Sequence, residues 1–468
     1  MYQVPHYIDN NKIFIVQRSE IEGRLEPEFY KPSIADLEKI IRGKSSHKLR
    51  DYALSVSGGA TPKKTEGDKY YADKETGVPF LRVQNLNTDG TLSFDDCLYI
   101  NKETHEGMLA RSQVSEGDLL VKITGVGRMA IASVAPEGFI GNTNQHMVVV
   151  KTGNKEISKY LARYLNLDII EKIASRHSTG GTRPALDYPS VKNLPIIEDI
   201  DFSPIDRAIE LKKQKEYEAQ QLLDSIDTYI LNELGITLPE IKTDLKSRMF
   251  LVNRSELEER LDPTVYKDGT KLISSLFENV KLSHVAFVNP GGAYKGKPIG
   301  TSISFIPMET IDEVYSEISS QGETTIADST GFTKFKEGDL LWAKITPCMQ
   351  NGKSAIARDL TNGLGCGSTE FFVLRPKDER LSVEYLHVIL HLKCVRETAM
   401  LYFGGSAGQQ RVSASFLENF NLPLPSFTKQ QEIANHIYAI RQQAKQLQRE
   451  GNSILENAKK EVEQMIIG

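Results

Sequence analysis

The chain has 468 residues, 40% of them hydrophobic and 25% charged. That balance excludes fibrous, collagen-like and disordered classes, and at about 150 residues per domain it predicts about three domains or two large ones with connectors. Its 57 basic and 62 acidic side chains leave a net charge of -5, which argues against indiscriminate polyanion binding while leaving room for a local basic groove.

No apolar run approaches the roughly 20 residues that span a bilayer, and the first residues lack the basic and apolar regions of a signal peptide. The four cysteines, Cys97, Cys348, Cys366 and Cys394, form no CxxC pair. A cytoplasmic protein with free thiols and no metal site is expected.

In chain order, the segment IFIVQRSEIEGRLEPEFY (13–30) precedes a short amphipathic helix predicted over 34–41. Short β-rich runs broken by Gly, Asn and Asp follow, among them PFLRVQNLNTDGTL, DLLVKITG, AIASVA and HMVVVK. Residues 156–175 carry Ile157, Tyr160, Leu161, Tyr164 and Leu165 at helical spacing, ahead of a Gly180-Gly181 loop and a short strand at Asn193-Leu194-Pro195. A long charged helix is predicted over 203–234, with Ser203 as N-cap and Pro204 at its first position. Its apolar seam of Ile205, Ile209, Ala219, Leu223, Ile226 and Ile230 is interrupted by Lys212 and Glu216.

The order then starts again. MFLVNRSELEERLDPTVY (249–266) repeats residues 13–30, matching at Phe14/Phe250, Arg18/Arg254, Ser19/Ser255, Glu20/Glu256, Arg24/Arg260, Leu25/Leu261, Pro27/Pro263 and Tyr30/Tyr266. GDLLVKIT from Gly117 returns as GDLLWAKIT from Gly338, Tyr160-Leu161 as Tyr385-Leu386, Gly180-Gly181 as Gly404-Gly405, and Asn193-Leu194-Pro195 as Asn421-Leu422-Pro423. Helices are predicted over 271–277 and 382–398.

A second long helix is predicted over 428–466, with a heptad seam of Ile433, Ile437, Ile440, Ala444, Leu447, Ile454, Ala458 and Met465 broken by Gly451. At 1.5 Å per residue the two helices are about 45 and 60 Å long, beyond the needs of either globular copy. The expected fold is α+β: two tandem pseudo-repeated α/β domains (1–202 and 247–427), each followed by a long helix (203–246 with its linker, and 428–468), the helices pairing as an antiparallel coiled coil.

Several motifs nearly fit enzymes. Gly291 to Lys297 matches a phosphate-binding loop until Pro298 replaces the magnesium-binding hydroxyl, and the stretch ending Gly352-Lys353-Ser354 has Pro347 where the first glycine belongs. Gly125-Val126-Gly127-Arg128-Met129-Ala130 resembles a dinucleotide fingerprint but runs into a strand instead of a helix. Asn289-Pro290-Gly291-Gly292 lacks the second proline and aromatic of an amino-methyltransferase motif. The nine histidines are scattered, and His387 and His391 lack a Glu at catalytic spacing. No catalytic or metal-binding residue is assigned.

A duplicated globular domain with a long helix after each copy resembles the specificity (S) subunit of Type I restriction-modification systems. HSTGGTRPALDYPSVKNLPII (177–197) and FLENFNLPLPSFTKQQEIANHI (416–437) are similar to the segments that end that family's target recognition domains, and GDLLWAKITPCMQNGKSAIA (338–357) to its central strand-turn-strand. The two copies differ where the first has Gly125 to Arg128 and the second Pro347 to Lys353, and the first exit lacks Gln430-Gln431-Glu432. The likeness implies a non-catalytic subunit that binds a bipartite asymmetric target in double-stranded DNA, with helices that set the gap near one duplex turn of about 34 Å. It implies two modification subunits carrying S-adenosylmethionine and motor-nuclease subunits using ATP and Mg, with no cofactor on this chain and no membrane association. The alternatives are a stand-alone endonuclease or DNA methyltransferase, or the recognition module of another DNA-targeting defence system.

Direct readout uses Arg or Lys on guanine and Asn or Gln on adenine, with hydroxyls and amides on phosphates. In the first copy this nominates Lys122, Thr124 and Arg128 in the turn and Ser178, Thr179, Thr182 and Arg183 in the Gly-Gly loop. In the second it nominates Lys344, Thr346, Gln350, Asn351 and Lys353, then Ser406, Gln409, Gln410 and Arg411. The RSE-containing repeats, with Arg18 and Arg254, read as structural or docking elements.

Overall fold

The computed structural model describes residues 9–45, 47–238, 251–252, 254, 263–268, 271–405 and 410–468. The chain divides into two compact units, residues 1–214 with 450–468, and residues 215–449. In the second copy of the RSE repeat, residues 249–250, 253 and 255–262 lie outside the described residues.

The first unit opens with helix α1 (Pro32–Lys44), as the amphipathic pattern predicts. Its strands are β1 (Ser55–Gly58), β2 (Val78–Leu81), β3 (Leu98–Ile100), β4 (Gln113–Ser115), β5 (Leu119–Lys122), β6 (Ala132–Val134), β7 (Ile140–Thr143) and β8 (Met147–Lys151). They form two four-stranded sheets, in the orders β1-β8-β5-β6 and β3-β2-β7-β4. The first is antiparallel throughout, and β2 runs parallel to β7 in the second. Helices α2 (Lys155–Leu165), α3 (Asp168–Arg176) and the long α4 (Ser203–Glu233) follow.

The second unit repeats this plan strand for strand. Its strands are β9 (Ala286–Val288), β10 (Ser302–Ile306), β11 (Gly322–Thr325), β12 (Thr333–Lys336), β13 (Leu340–Ala343), β14 (Ser354–Ile356), β15 (Leu364–Gly367) and β16 (Phe371–Pro376). Their orders are β9-β16-β13-β14 and β11-β10-β15-β12, and β10 is again parallel to β15. Helices α5 (Val383–His391), α6 (Lys393–Met400) and α7 (Phe427–Ile467) complete it, although the last stretch of α7 belongs to the first unit.

The central strands are hydrophobic runs because they are buried on both faces. Side chains alternate across a strand, so Leu119, Val121, Val148 and Val150 face Leu161, Leu165, Ile169 and Ile173 of the helices. Leu120, Met147 and Val149 face Leu81 and Val114 of the other sheet. In the second unit Leu340, Trp342, Phe372 and Leu374 pack on Tyr385, Leu386 and Ile389, while Leu341, Phe371 and Val373 meet Ile306 and Phe335.

The structure corrects three expectations. The helix predicted over 156–175 is two helices, because the Asn166 amide both accepts from the Ala132 backbone N–H (3.2 Å) and donates to its carbonyl (2.7 Å), ending α2 against β6. Its counterpart over 382–398 is likewise broken at Leu392, and the Lys393 N–H donates to Asp227 (2.9 Å). Residues 271–277 form no helix: the Ser274 hydroxyl accepts from the N–H groups of Leu276 and Phe277 at 3.0 and 2.9 Å, a local alternative to helical bonding.

The long helices pair antiparallel within each unit. In the first, Ile205, Ala208 and Ile209 at the start of α4 share a core with Leu455, Ala458, Val462 and Ile466 near the end of α7. In the second, Ile226 and Ile230 near the end of α4 share one with Ile433, Ile437 and Ile440 near the start of α7. Gly451 does not break the helix. A Cβ there would lie 3.2 Å from Cγ and 3.3 Å from Cα of Lys212, so glycine permits the backbones to approach. We therefore expect Gly451→Leu to lower stability by about 1–3 kcal/mol through overpacking, measured by urea unfolding of the full chain, whereas Asn452→Leu on an exposed position of the same helix leaves the midpoint nearly unchanged.

Candidate nucleic-acid interface

At one end of the β1-β8-β5-β6 sheet, backbone bonds tie three loops of the first unit together. The Ile123 N–H donates to the His146 carbonyl (2.9 Å), Leu186 N–H to Ile123 (2.8 Å) and Gly125 N–H to Pro184 (3.0 Å). Thr179 and Ala185 exchange two bonds of 2.8 Å across the Gly-Gly loop. Gly180 adopts φ +95°, and a Cβ there would stand 2.9 Å from the Arg183 carbonyl oxygen, so this turn requires glycine. The turn after β5 and the Gly-Gly loop, separate in sequence, thus form one surface.

A buried charge cluster fixes the loop's entry. Glu38, 4% exposed, receives hydrogen bonds from Arg42 (2.7 Å), Arg176 (2.6 Å) and His177 (2.8 Å). Burial alone would raise its carboxyl, but His177 and Arg42 outweigh that and bring it down to about 2. Arg24 of the repeated segment donates to the Ser178 carbonyl (2.7 Å) and stacks over Phe29 at 4.7 Å, a structural role for that segment.

The nominated residues of the first unit separate into two groups. Lys122, expected as a base-reading cation, is 3% exposed and donates to the Val126 carbonyl (2.8 Å). Burial lowers its pKa. Arg128 pairs with Asp168 and donates to the Asn166 carbonyl (2.6 Å). Ser178 donates to Ser175 (2.7 Å), and Thr124 is a half-buried ladder residue bridged to Ala185. Thr179, Thr182 and Arg183 are exposed, and Arg183 has no ion-pair partner among the described residues. Its charge reaches His146, whose imidazole is held below its usual range first by burial and then by that guanidinium.

The second unit repeats the ladder. Lys344 N–H donates to Glu370 (2.9 Å), Val412 N–H to Lys344 (2.9 Å) and Thr346 N–H to Gln410 (3.0 Å). The half-buried Lys344 carries its ammonium 5.5 Å above the Phe372 ring, on an open cavity of about 340 Å³ shared with Asn289, Gly292 and Lys334. Asn351 is exposed and donates to Glu313 (3.3 Å), and Gln350 is half-buried and accepts at its carbonyl from Arg396. Lys353, by contrast, donates to the carbonyls of Met308 (3.4 Å) and Ile311 (3.1 Å). Arg411 grips Glu370 in a fork of 2.9 and 2.7 Å, and these bonds hold the Glu370 carboxyl below the carboxylate range. Thr346 and Gln410 are half-buried ladder residues; Ser406 and Gln409 lie outside the described residues.

The two KIT motifs are not structural equivalents. Lys122 opposes Met147 on β8, and the residue at the matching place on β13, opposite Phe371, is Ala343. The extra residue in the second copy shifts the register by one, which turns successive side chains to opposite faces. Lys122 therefore points inward and Lys344 stands at the ladder position of Ile123. Sequence reasoning also missed Val126, 77% exposed between Gly125 and Gly127 with positive φ, because an apolar side chain in a loop carries no hydrogen-bonding signal. The near-motifs fall into place as structure. Asn289 exchanges bonds with Val373 (2.7 and 3.1 Å), and no helix follows the glycines at 291–296.

Residues 275–456 match the family described as the Type I restriction modification DNA specificity domain. The chain is 37% identical over 164 residues to the Type I restriction enzyme EcoEI specificity subunit of Escherichia coli, covering 34% of this chain and 26% of that one. It is 33% identical over 183 residues to the EcoAI specificity subunit of the same organism, covering 38% and 29%. A chain from a solved type I R-M system has 16% identity and a TM-score of 0.44, covering 90% of this chain and 95% of that one. The matched stretch is thus under a third of either E. coli relative.

The specificity-domain match spans the second unit's two sheets and most of α7, and the first unit carries the same strand orders. Among the described residues no helix is long and apolar enough to cross a membrane. For the loop support, Glu38→Gln is expected to cost about 3 kcal/mol near neutral pH, the worth of a carboxyl lowered from 4.5 to about 2. A lowered carboxyl stabilises fully above its unfolded value, so the difference between wild type and variant should shrink as pH falls from 4.5 toward 2. Urea unfolding followed across that range checks it.

Proposed function

We propose that this chain is the specificity subunit of a Type I restriction-modification complex, a non-catalytic reader of double-stranded DNA. The observation that carries this reading is the strand-for-strand repetition, in the first unit, of the architecture that holds the matched specificity domain. Two copies of one reading module suit a bipartite target, and their different loop tips suit an asymmetric one. In this reading the long helices set the gap and dock two modification subunits that carry S-adenosylmethionine. Motor-nuclease subunits would supply ATP- and Mg-dependent cleavage, in the cytoplasm. This chain would bind no cofactor of its own.

Within that reading Arg183 with Thr179 and Thr182 serves the first half-site, and Lys344 with Asn351 the second, since these reach solvent while Lys122, Arg128, Lys353 and Arg411 are engaged internally. Val126 supplies an apolar contact of the kind that reads a thymine methyl.

The test is co-expression with a Type I adenine-modification subunit from the same genome and mapping of N6-methyladenine genome-wide. One bipartite asymmetric motif is expected; methylation without such a motif, or by the purified chain alone, would overturn the reading. Arg183→Ala should weaken binding or relax one half of the motif by about 1–3 kcal/mol per lost base contact, and Lys344→Ala should affect the other half alone. The same defect in both halves from either variant would contradict the assignment.

A further inference from the structure

Arg441 on α7 is 7% exposed, yet among the described residues it has neither an ion-pair partner nor a hydrogen-bond acceptor, and its Nε is sealed without one. A buried arginine left in this way is costly, because desolvation of the guanidinium is offset only by an anion or a full set of acceptors. Burial lowers its pKa to about 10, still well above neutrality, so the group stays charged.

Arg441 lines a cavity of about 590 Å³ inside the second unit, walled by α7, by α5 and by the loop that carries Tyr315 and Ser316. That loop holds two more orphans, since the Tyr315 hydroxyl and the Ser316 Oγ are buried without partners. Three of the seven buried polar atoms without a partner among the described residues therefore belong to residues that line one cavity. The acids on its wall make no hydrogen bond or ion pair with the arginine, although the charges of Glu317 and of Asp227 act on it. Glu317 is held by Lys445 and by Gln442 (2.8 Å), Glu384 by Arg358 and by Ser382 (2.7 Å), and Asp359 is exposed at the rim. His387 adds no charge, because burial and then Arg441 push its imidazole down to about 3, and it bonds Ser354 at 3.0 Å.

We infer that this cavity is a binding site for a small oxyanion, a phosphate- or carboxylate-bearing molecule gripped by the Arg441 guanidinium. A planar fork of N–H groups matches two oxygens of either anion. The site lies away from the loop ladder and does not depend on the DNA reading.

Isothermal titration of the full chain in chloride buffer, with sodium phosphate and separately with sodium acetate, tests it. One saturable site is expected; preference for phosphate identifies a phosphate-bearing ligand, and preference for acetate a carboxylate. Arg441→Met should weaken that binding by roughly tenfold or more, the worth of a charged hydrogen bond, while Arg183→Ala leaves it unchanged. In wild type the same anion should slow hydrogen exchange at 312–321, a readout independent of whether the variant folds. Absence of saturable heat from both anions, affinity unaltered in Arg441→Met, or unchanged exchange at 312–321 would each overturn the proposal.

Discussion

The two-sided burial of the central strand pair, β5 with β8 and β13 with β16, is the constraint on which the rest of each unit depends. With helices on one face and a second sheet on the other, a shift of one residue would drive core side chains such as Val121 or Trp342 to the wrong layer. The register is therefore unequivocal, and the chain leaves these strands at fixed points. Those points locate the loops after β5 and β13 and before β8 and β16, where the backbone ladder to the Gly-Gly loop begins.

That constraint explains what could and could not be read from the amino-acid sequence. The duplication, the long helices and their antiparallel pairing were legible because apolar periodicity and repeated motifs record burial directly, and burial is what holds them. Helix breaks at Asn166 and Leu392 were not, since they follow from a side-chain amide meeting a strand distant in sequence and from a local backbone turn. Gly451 was read as an interruption because its role is visible only once Lys212 lies opposite.

The candidate interface was legible as loops and not as side chains. Residue type selected Lys122, Arg128, Lys353 and Arg411 on the chemistry they could offer, but long cationic side chains also satisfy carbonyls and carboxylates inside the fold. Local sequence does not announce which use prevails. For Lys122 the answer turned on a one-residue difference between copies, and for Arg411 on a carboxylate that the first copy replaces with His146 at the equivalent strand position.

The bonds that hold the loop ladder are made by the backbone in both units: Ile123 to His146 and Leu186 in one, Lys344 to Glu370 and Val412 in the other. Backbone bonds do not depend on side-chain identity, so the positions that carry them are free to change chemistry while the loops keep their places. Ile123 and Lys344, His146 and Glu370, Ala185 and Arg411 occupy matched ladder positions with unlike charge and size. A fold that separates its support from its surface in this way can be duplicated and then diverge in what each copy reads, because altering the exposed set costs little stability. The glycine at φ +95° in the first Gly-Gly loop belongs to the support, as its geometry excludes a side chain, whereas Thr182 and Arg183 beside it belong to the surface.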